Sequence, residues 1–207
     1  MKQIPDTNLV FVHITKTGGM SITRYLGLLH KSTDHFVAKD EQHLLGPGYV
    51  RFCAVRDPIP RFVSAYKYSV HMAKGGRFMR PVRDFILEHG LGDDINHFVR
   101  ECQKADFPLT DELHFRPQIW WLKRAKPQIV MRLESIETDI HIVDRLMGRE
   151  PQDFPHVNEM AGATLDDVKV EPDEKTLAFC RNLYREDINL LGYRRRKGEA
   201  GAEEAED

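Results

Sequence analysis

Three short apolar runs punctuate the chain, at residues 8–14 (NLVFVHI), 49–55 (YVRFCAV) and 128–133 (QIVMRL). Each is rich in Val, Ile, Phe or Met and ends where polar or glycine residues begin, which predicts buried strands. Helical spacing follows each one, at residues 20–30, 61–72 and 134–147. Strand, loop and helix in repetition predict an α/β domain with a mainly parallel sheet. Between Pro81 and Lys104 two further helices, broken at Gly90-Leu91-Gly92 and the second opening on Asp93-Asp94, read as a helical insertion. Leu177, Cys180, Tyr184, Ile188 and Leu191 fall at helical spacing and predict a closing helix packed on the sheet. Residues 148–170, with Pro151, Pro155 and Gly162, read as a long loop over the surface or the site.

At 207 residues with 41% hydrophobic and 30% charged positions, the chain predicts one compact domain over residues 1–197, with residues 198–207 a disordered acidic tail. Glu199, Glu203, Glu204, Glu206 and Asp207 dominate that tail; without them the other 27 acids face 30 bases, a body charge of +3. Such an excess suits an anionic ligand and is too small and scattered for a nucleic-acid surface. Cys53, Cys102 and Cys180 lie far apart, which indicates neither a disulfide framework nor a zinc site and fits a reducing compartment. The N-terminal apolar run is too short for a signal peptide, and no stretch approaches a membrane span. The expectation is a cytoplasmic protein.

The segment His13-Ile14-Thr15-Lys16-Thr17-Gly18-Gly19-Met20-Ser21 has the parts needed to hold an anion at a strand end. Its glycines let the backbone approach the anion, the following helix start adds a favourable dipole, Lys16 a full charge and Ser21 a hydroxyl. Lys16 precedes the glycines, whereas a Walker A loop places its lysine after them, so ATP hydrolysis is not the first expectation. A second segment, Val55-Arg56-Asp57-Pro58-Ile59-Pro60-Arg61-Phe62-Val63-Ser64-Ala65-Tyr66, runs from the second strand into a helix. There Arg56 can fork onto a phosphate, Ser64 can donate from the helix face, and Asp57-Pro58 would start the helix. The plainer alternatives are a turn and a capped helix whose arginines are merely solvated.

Together the two segments resemble the sulfotransferase family, in particular its carbohydrate branch with HxPKTGGTS and VRDPxxRxxSxY motifs. The resemblance implies a P-loop-like three-layer α/β fold and 3'-phosphoadenosine 5'-phosphosulfate (PAPS) as donor. It implies that Lys16, Thr17, Gly18, Gly19 and Ser21 form the 5'-phosphosulfate loop and that Arg56 and Ser64 hold the 3'-phosphate. Thr15 stands where the family usually has Pro and Met20 where it usually has Thr. These departures predict a looser loop and one hydroxyl fewer near the anion, with weaker donor binding.

Asp111-Glu112-Leu113-His114-Phe115-Arg116-Pro117-Gln118-Ile119-Trp120-Trp121 resembles the family's HWRPQ-like segment. A histidine there can take the proton of an acceptor hydroxyl, so His114 is the candidate base and Glu112 its rival. Arg116 either steers an anionic acceptor or pairs with Glu112. Trp120 and Trp121 read as core packing. By the same resemblance His156-Val157-Asn158 belongs near the adenosine, Arg132 and Glu134 organise the site, and residues 187–193 (DINLLGY) pack; the likeness spans residues 8 to about 193.

The reaction this implies is in-line transfer of the sulfuryl group to a hydroxyl, on a saccharide by resemblance, without a metal, releasing 3'-phosphoadenosine 5'-phosphate (PAP). The alternatives are a P-loop-type nucleotide kinase or hydrolase and a non-catalytic PAP-binding protein.

Overall fold

The computed structural model describes residues 1–28, 39–73, 80–157 and 168–193. The expected tail, the end of the first helix at Leu29 and His30, and the middle of the long loop with Asn158 lie outside them.

Among the described residues four strands form one sheet in the order β1 (Lys2–Gln3), β2 (Leu9–Phe11), β3 (Val50–Val55), β4 (Ile129–Arg132). β2, β3 and β4 are parallel, with Phe11 opposite Phe52 and Val55 opposite Arg132. β1 is antiparallel to β2, Lys2 opposite Phe11. The three apolar runs therefore supply the parallel strands, and β1 is an addition. Its two polar residues carry no alternation of their own and are held by the neighbouring strand.

Side-chain alternation makes the sheet apolar on both faces. Leu9, Phe11, Phe52, Ala54 and Met131 pack with Ile22 and Tyr25 of α1 (Gly19–Tyr25), Ile136 of α6 (Ile136–Asp139) and Val143 of α7 (His141–Met147). Val10, Val12, Cys53 and Val55 pack on the other side with Trp121 and Ala125 of α5 (Ile119–Ala125). The result is the three-layer α/β arrangement expected.

A third cluster extends from α2 (Pro58–Ala73) into the insertion, α3 (Arg80–His89) and α4 (Ile95–Lys104). Phe62, Tyr66, Phe98 and Phe115 meet there with Tyr184. The split of the insertion follows the sequence: Gly90 has φ 63°, and the Asp94 side chain caps α4 by accepting from the Asn96 N–H. The closing helix is two pieces, α8 (Glu174–Leu183) and α9 (Arg185–Leu190), joined at Tyr184. The helix expected over residues 134–147 is likewise a 3-10 turn, Leu133–Ser135, followed by α6 and α7.

Candidate active site

β2 and β3 are adjacent parallel strands, so the two motif segments leave the sheet side by side at its carboxyl edge, the usual place for ligands in open α/β sheets. Lys16 and Gly18 both take left-handed backbone, at φ 63° and 77°. Alternation of this kind turns successive N–H groups toward one side, a shape suited to an anion. Two neighbours require the glycines themselves. A Cβ on Gly18 would stand 2.5 Å from Leu133, and one on Gly19 would stand 1.7 Å from Nε2 of His13. His13 is thus packed against the loop, its ring stacked on Phe11 at 5.6 Å.

The loop hydroxyls divide their work. Thr17 is wholly buried and donates to the Ile14 carbonyl at 2.9 Å, so its side chain holds the turn and its contribution to an anion is confined to its N–H. Ser21 accepts from the Val157 N–H at 3.0 Å and keeps its own proton for donation. Through that bond the stretch after α7 closes onto the loop, with His156 bonded to Glu137 at 2.8 Å. Thr15 does not loosen the loop as the sequence suggested: it is wholly buried and bonded on both sides of its hydroxyl.

Arg56 follows β3, and its main chain is bracketed by one side chain. Gln118 accepts from the Arg56 N–H at 2.9 Å and donates to the Arg56 carbonyl at 2.8 Å. Gln118 in turn is fixed by Asp187, whose carboxylate accepts from the N–H groups of Gln118 and Ile119 at 2.7 and 2.9 Å. Residues 187–193 therefore do more than pack. The Arg56 guanidinium reaches the Lys16 carbonyl at 3.5 Å, and burial lowers its pKa. Asp57 bonds the Ile59 N–H at the start of α2, while its own N–H donates to Glu134 at 2.7 Å. Glu134 also accepts from Tyr193, and the Arg132 guanidinium lies over the Tyr193 ring at 4.6 Å, so both organise this edge.

On α2, Arg61 turns inward, wholly buried, and donates to the carbonyl and hydroxyl oxygens of Thr15 at 2.9 and 3.0 Å. Ser64 and Tyr68 are half-buried and one turn apart, on a shared helix face. Tyr68 joins the Lys16 loop to the segment carrying the expected base. The Lys16 ammonium lies 4.4 Å from its ring centre, and the His114 ring stacks on it with centroids 4.9 Å apart. Nothing in the chain marked Tyr68 except its spacing from Ser64.

His114 is largely shielded, and its Nδ1 lies 3.3 Å from Oε1 of Glu112. An ionised carboxylate only accepts, so that contact puts the proton on Nδ1 and the lone pair on Nε2. Burial pushes the His114 pKa down, against Glu112 and in concert with the charges of Lys16 and Arg61. Glu112 pairs with this histidine rather than with Arg116. The Arg116 guanidinium bonds the carbonyls of Thr110 and Asp111 at 3.0 and 2.6 Å and lies over Trp120 at 4.7 Å. Trp121 is core, whereas Trp120 is half-buried, with Arg124 also on its ring at 3.8 Å.

A sulfotransferase family model matches residues 1–194, and the chain belongs to that family. It is accordingly a transferase of sulfuryl groups. No curated protein and no solved structure matches it significantly. Among the described residues no helix is long and apolar enough to cross a membrane.

Proposed function

We propose that the chain transfers the sulfuryl group of PAPS to a hydroxyl of a saccharide acceptor, with His114 as general base. The observation that carries this reading is the contact of Lys16 and His114 with one ring, Tyr68, while Arg56 reaches the Lys16 carbonyl. The lysine of the first motif, the arginine of the second and the imidazole are thus linked through these contacts at the carboxyl edge of the sheet. Two cations at the edge of the sheet, one of them desolvated, suit a ligand with anionic groups at both ends.

In this reading Arg56 and Ser64 hold the 3'-phosphate, while Lys16 and the N–H groups of Thr17, Gly18 and Gly19, with the Ser21 hydroxyl, hold the 5'-phosphosulfate. The donor supplies an activated sulfur whose bond to the bridging phosphate oxygen breaks as the acceptor oxygen bonds to it. Lys16 and the loop N–H groups stabilise the charge that gathers on the bridging oxygen, an electrostatic contribution that is commonly the largest in such sites. Nε2 of His114 takes the hydroxyl proton, and its low pKa keeps it neutral for that task. Glu112 orients the ring from the Nδ1 side. The saccharide acceptor rests on resemblance to the carbohydrate branch. Three free, buried cysteines fit a reducing compartment, and the proposal is of a cytoplasmic enzyme.

Calorimetric titration with PAP, ATP and ADP tests the donor class. PAP is expected to bind, and ATP and ADP to bind more weakly for want of a 3'-phosphate. Magnesium-dependent ATP binding indifferent to a 3'-phosphate would point instead to a nucleotide kinase or hydrolase. Radiolabelled PAPS offered with saccharides, phenols and tyrosyl peptides then tests the chemistry; PAP binding without transfer to any of them would mark a binding protein.

A further inference from the structure

We infer that Thr15 is a positioning residue, whose hydroxyl fixes the spacing between the Lys16 loop and the His114 segment. Thr15 immediately precedes Lys16, and Leu113 immediately precedes His114. The Thr15 hydroxyl donates to the Leu113 carbonyl at 3.0 Å and accepts from Nη2 of Arg61 at 3.0 Å, while Nε of Arg61 bonds the Thr15 carbonyl at 2.9 Å. Thr15 and Arg61 are both wholly buried. One oxygen therefore clamps two backbone segments, each a single residue from a side chain on Tyr68.

The dry surroundings make this bond matter. Nη1 of Arg61 already has no partner among the described residues, so loss of the threonine oxygen would deprive a second nitrogen of its acceptor and the Leu113 carbonyl of its donor. Buried polar groups left so are costly, and the segments would shift to relieve them. Proline, the usual residue of the motif that this loop resembles, offers no such oxygen.

The inference rests on the sulfotransferase reading only for what Lys16 and His114 do, and its test does not need the acceptor. The groups that set the His114 titration are Glu112, Lys16 and Arg61, with Tyr68 stacked on the ring. The imidazole nitrogens of His114 are followed by NMR against pH in wild type, Thr15→Val and Thr15→Ser. Thr15→Val removes the hydroxyl at nearly constant shape; release of the segment moves the His114 pKa up toward its free value. Thr15→Ser restores the wild-type titration.

An unchanged His114 titration in a folded Thr15→Val protein, or no rescue by Thr15→Ser, would overturn the inference. Should Thr15→Val not fold, Thr15→Ala, which opens a small void without setting a methyl group against two polar ones, takes its place. PAP calorimetry on the wild type reports separately on the functional reading: lack of PAP binding would refute that reading, while the titration still decides the role of Thr15.

Discussion

The His114 imidazole lies 28° from parallel to the Tyr68 ring, with 4.9 Å between centroids. The same ring holds the Lys16 ammonium, so Tyr68 sets the position of two charged or chargeable groups at once. Replacement by leucine keeps the bulk and removes the platform. Tyr68→Leu is expected to lower kcat about tenfold or more through lost orientation, with Tyr68→Phe retaining the greater part. PAP affinity, measured by calorimetry, should change far less than turnover in both.

The pH dependence follows from the burial of His114. Its folded pKa lies below the ordinary 6.5, so at pH values between the two the unfolded chain binds the proton more readily than the folded one. This group's share of stability is therefore present above the unfolded pKa and lost as pH falls toward the folded one. A base must be unprotonated, so kcat/KM should rise with pH through a value below 6.5 and then level off. His114→Gln should remove that limb from a pH–rate profile and cost about a hundredfold or more in turnover, sparing PAP binding.

Much of this site could be read along the chain because it is carried by local patterns. The apolar runs gave the parallel strands, and the two motif segments leave adjacent strands, which fixes their proximity. What could not be read depends on partners distant in sequence. Arg61 looks like any helix arginine, yet it is wholly buried because Thr15, 46 positions away, offers it two oxygens. Gln118 looks like a polar residue before a helix until Arg56 stands beside it, and Asp187 like a helix-surface acid until the start of α5 meets it. Tyr68 carries no motif, because its role arises only where α2 passes both segments.

The contact of His13 with Gly19 predicts a sharp local intolerance. A Cβ there would overlap the His13 imidazole, so the ring or the loop must move. Gly19→Ala should displace His13 or the loop, lowering the thermal midpoint and weakening PAP binding together. Gly48→Ala is the matched control, since nothing among the described residues lies within 4 Å of the added carbon and the midpoint should hardly move. Equal midpoints and equal PAP affinities for the two variants would refute this account.

Asp187 reaches Arg56 by a relay through Gln118. Asp187 is buried, and burial raises its pKa against the two N–H groups and the Arg61 charge that favour its ionised form. Truncation to alanine orphans the N–H groups of Gln118 and Ile119, and should cost about 2–4 kcal/mol of stability in chemical denaturation. Asp187→Asn retains one acceptor and should lose about half as much. The functional signature is selective, because what the relay positions is the backbone of Arg56. PAP should bind more weakly to Gln118→Ala, and more weakly still to Arg56→Ala, by about tenfold or more for a lost charge-assisted contact. Adenosine 5'-phosphate, which lacks the 3'-phosphate, should bind the wild type, Gln118→Ala and Arg56→Ala alike. If it lost affinity in parallel with PAP, Arg56 would be serving the loop rather than the 3'-phosphate.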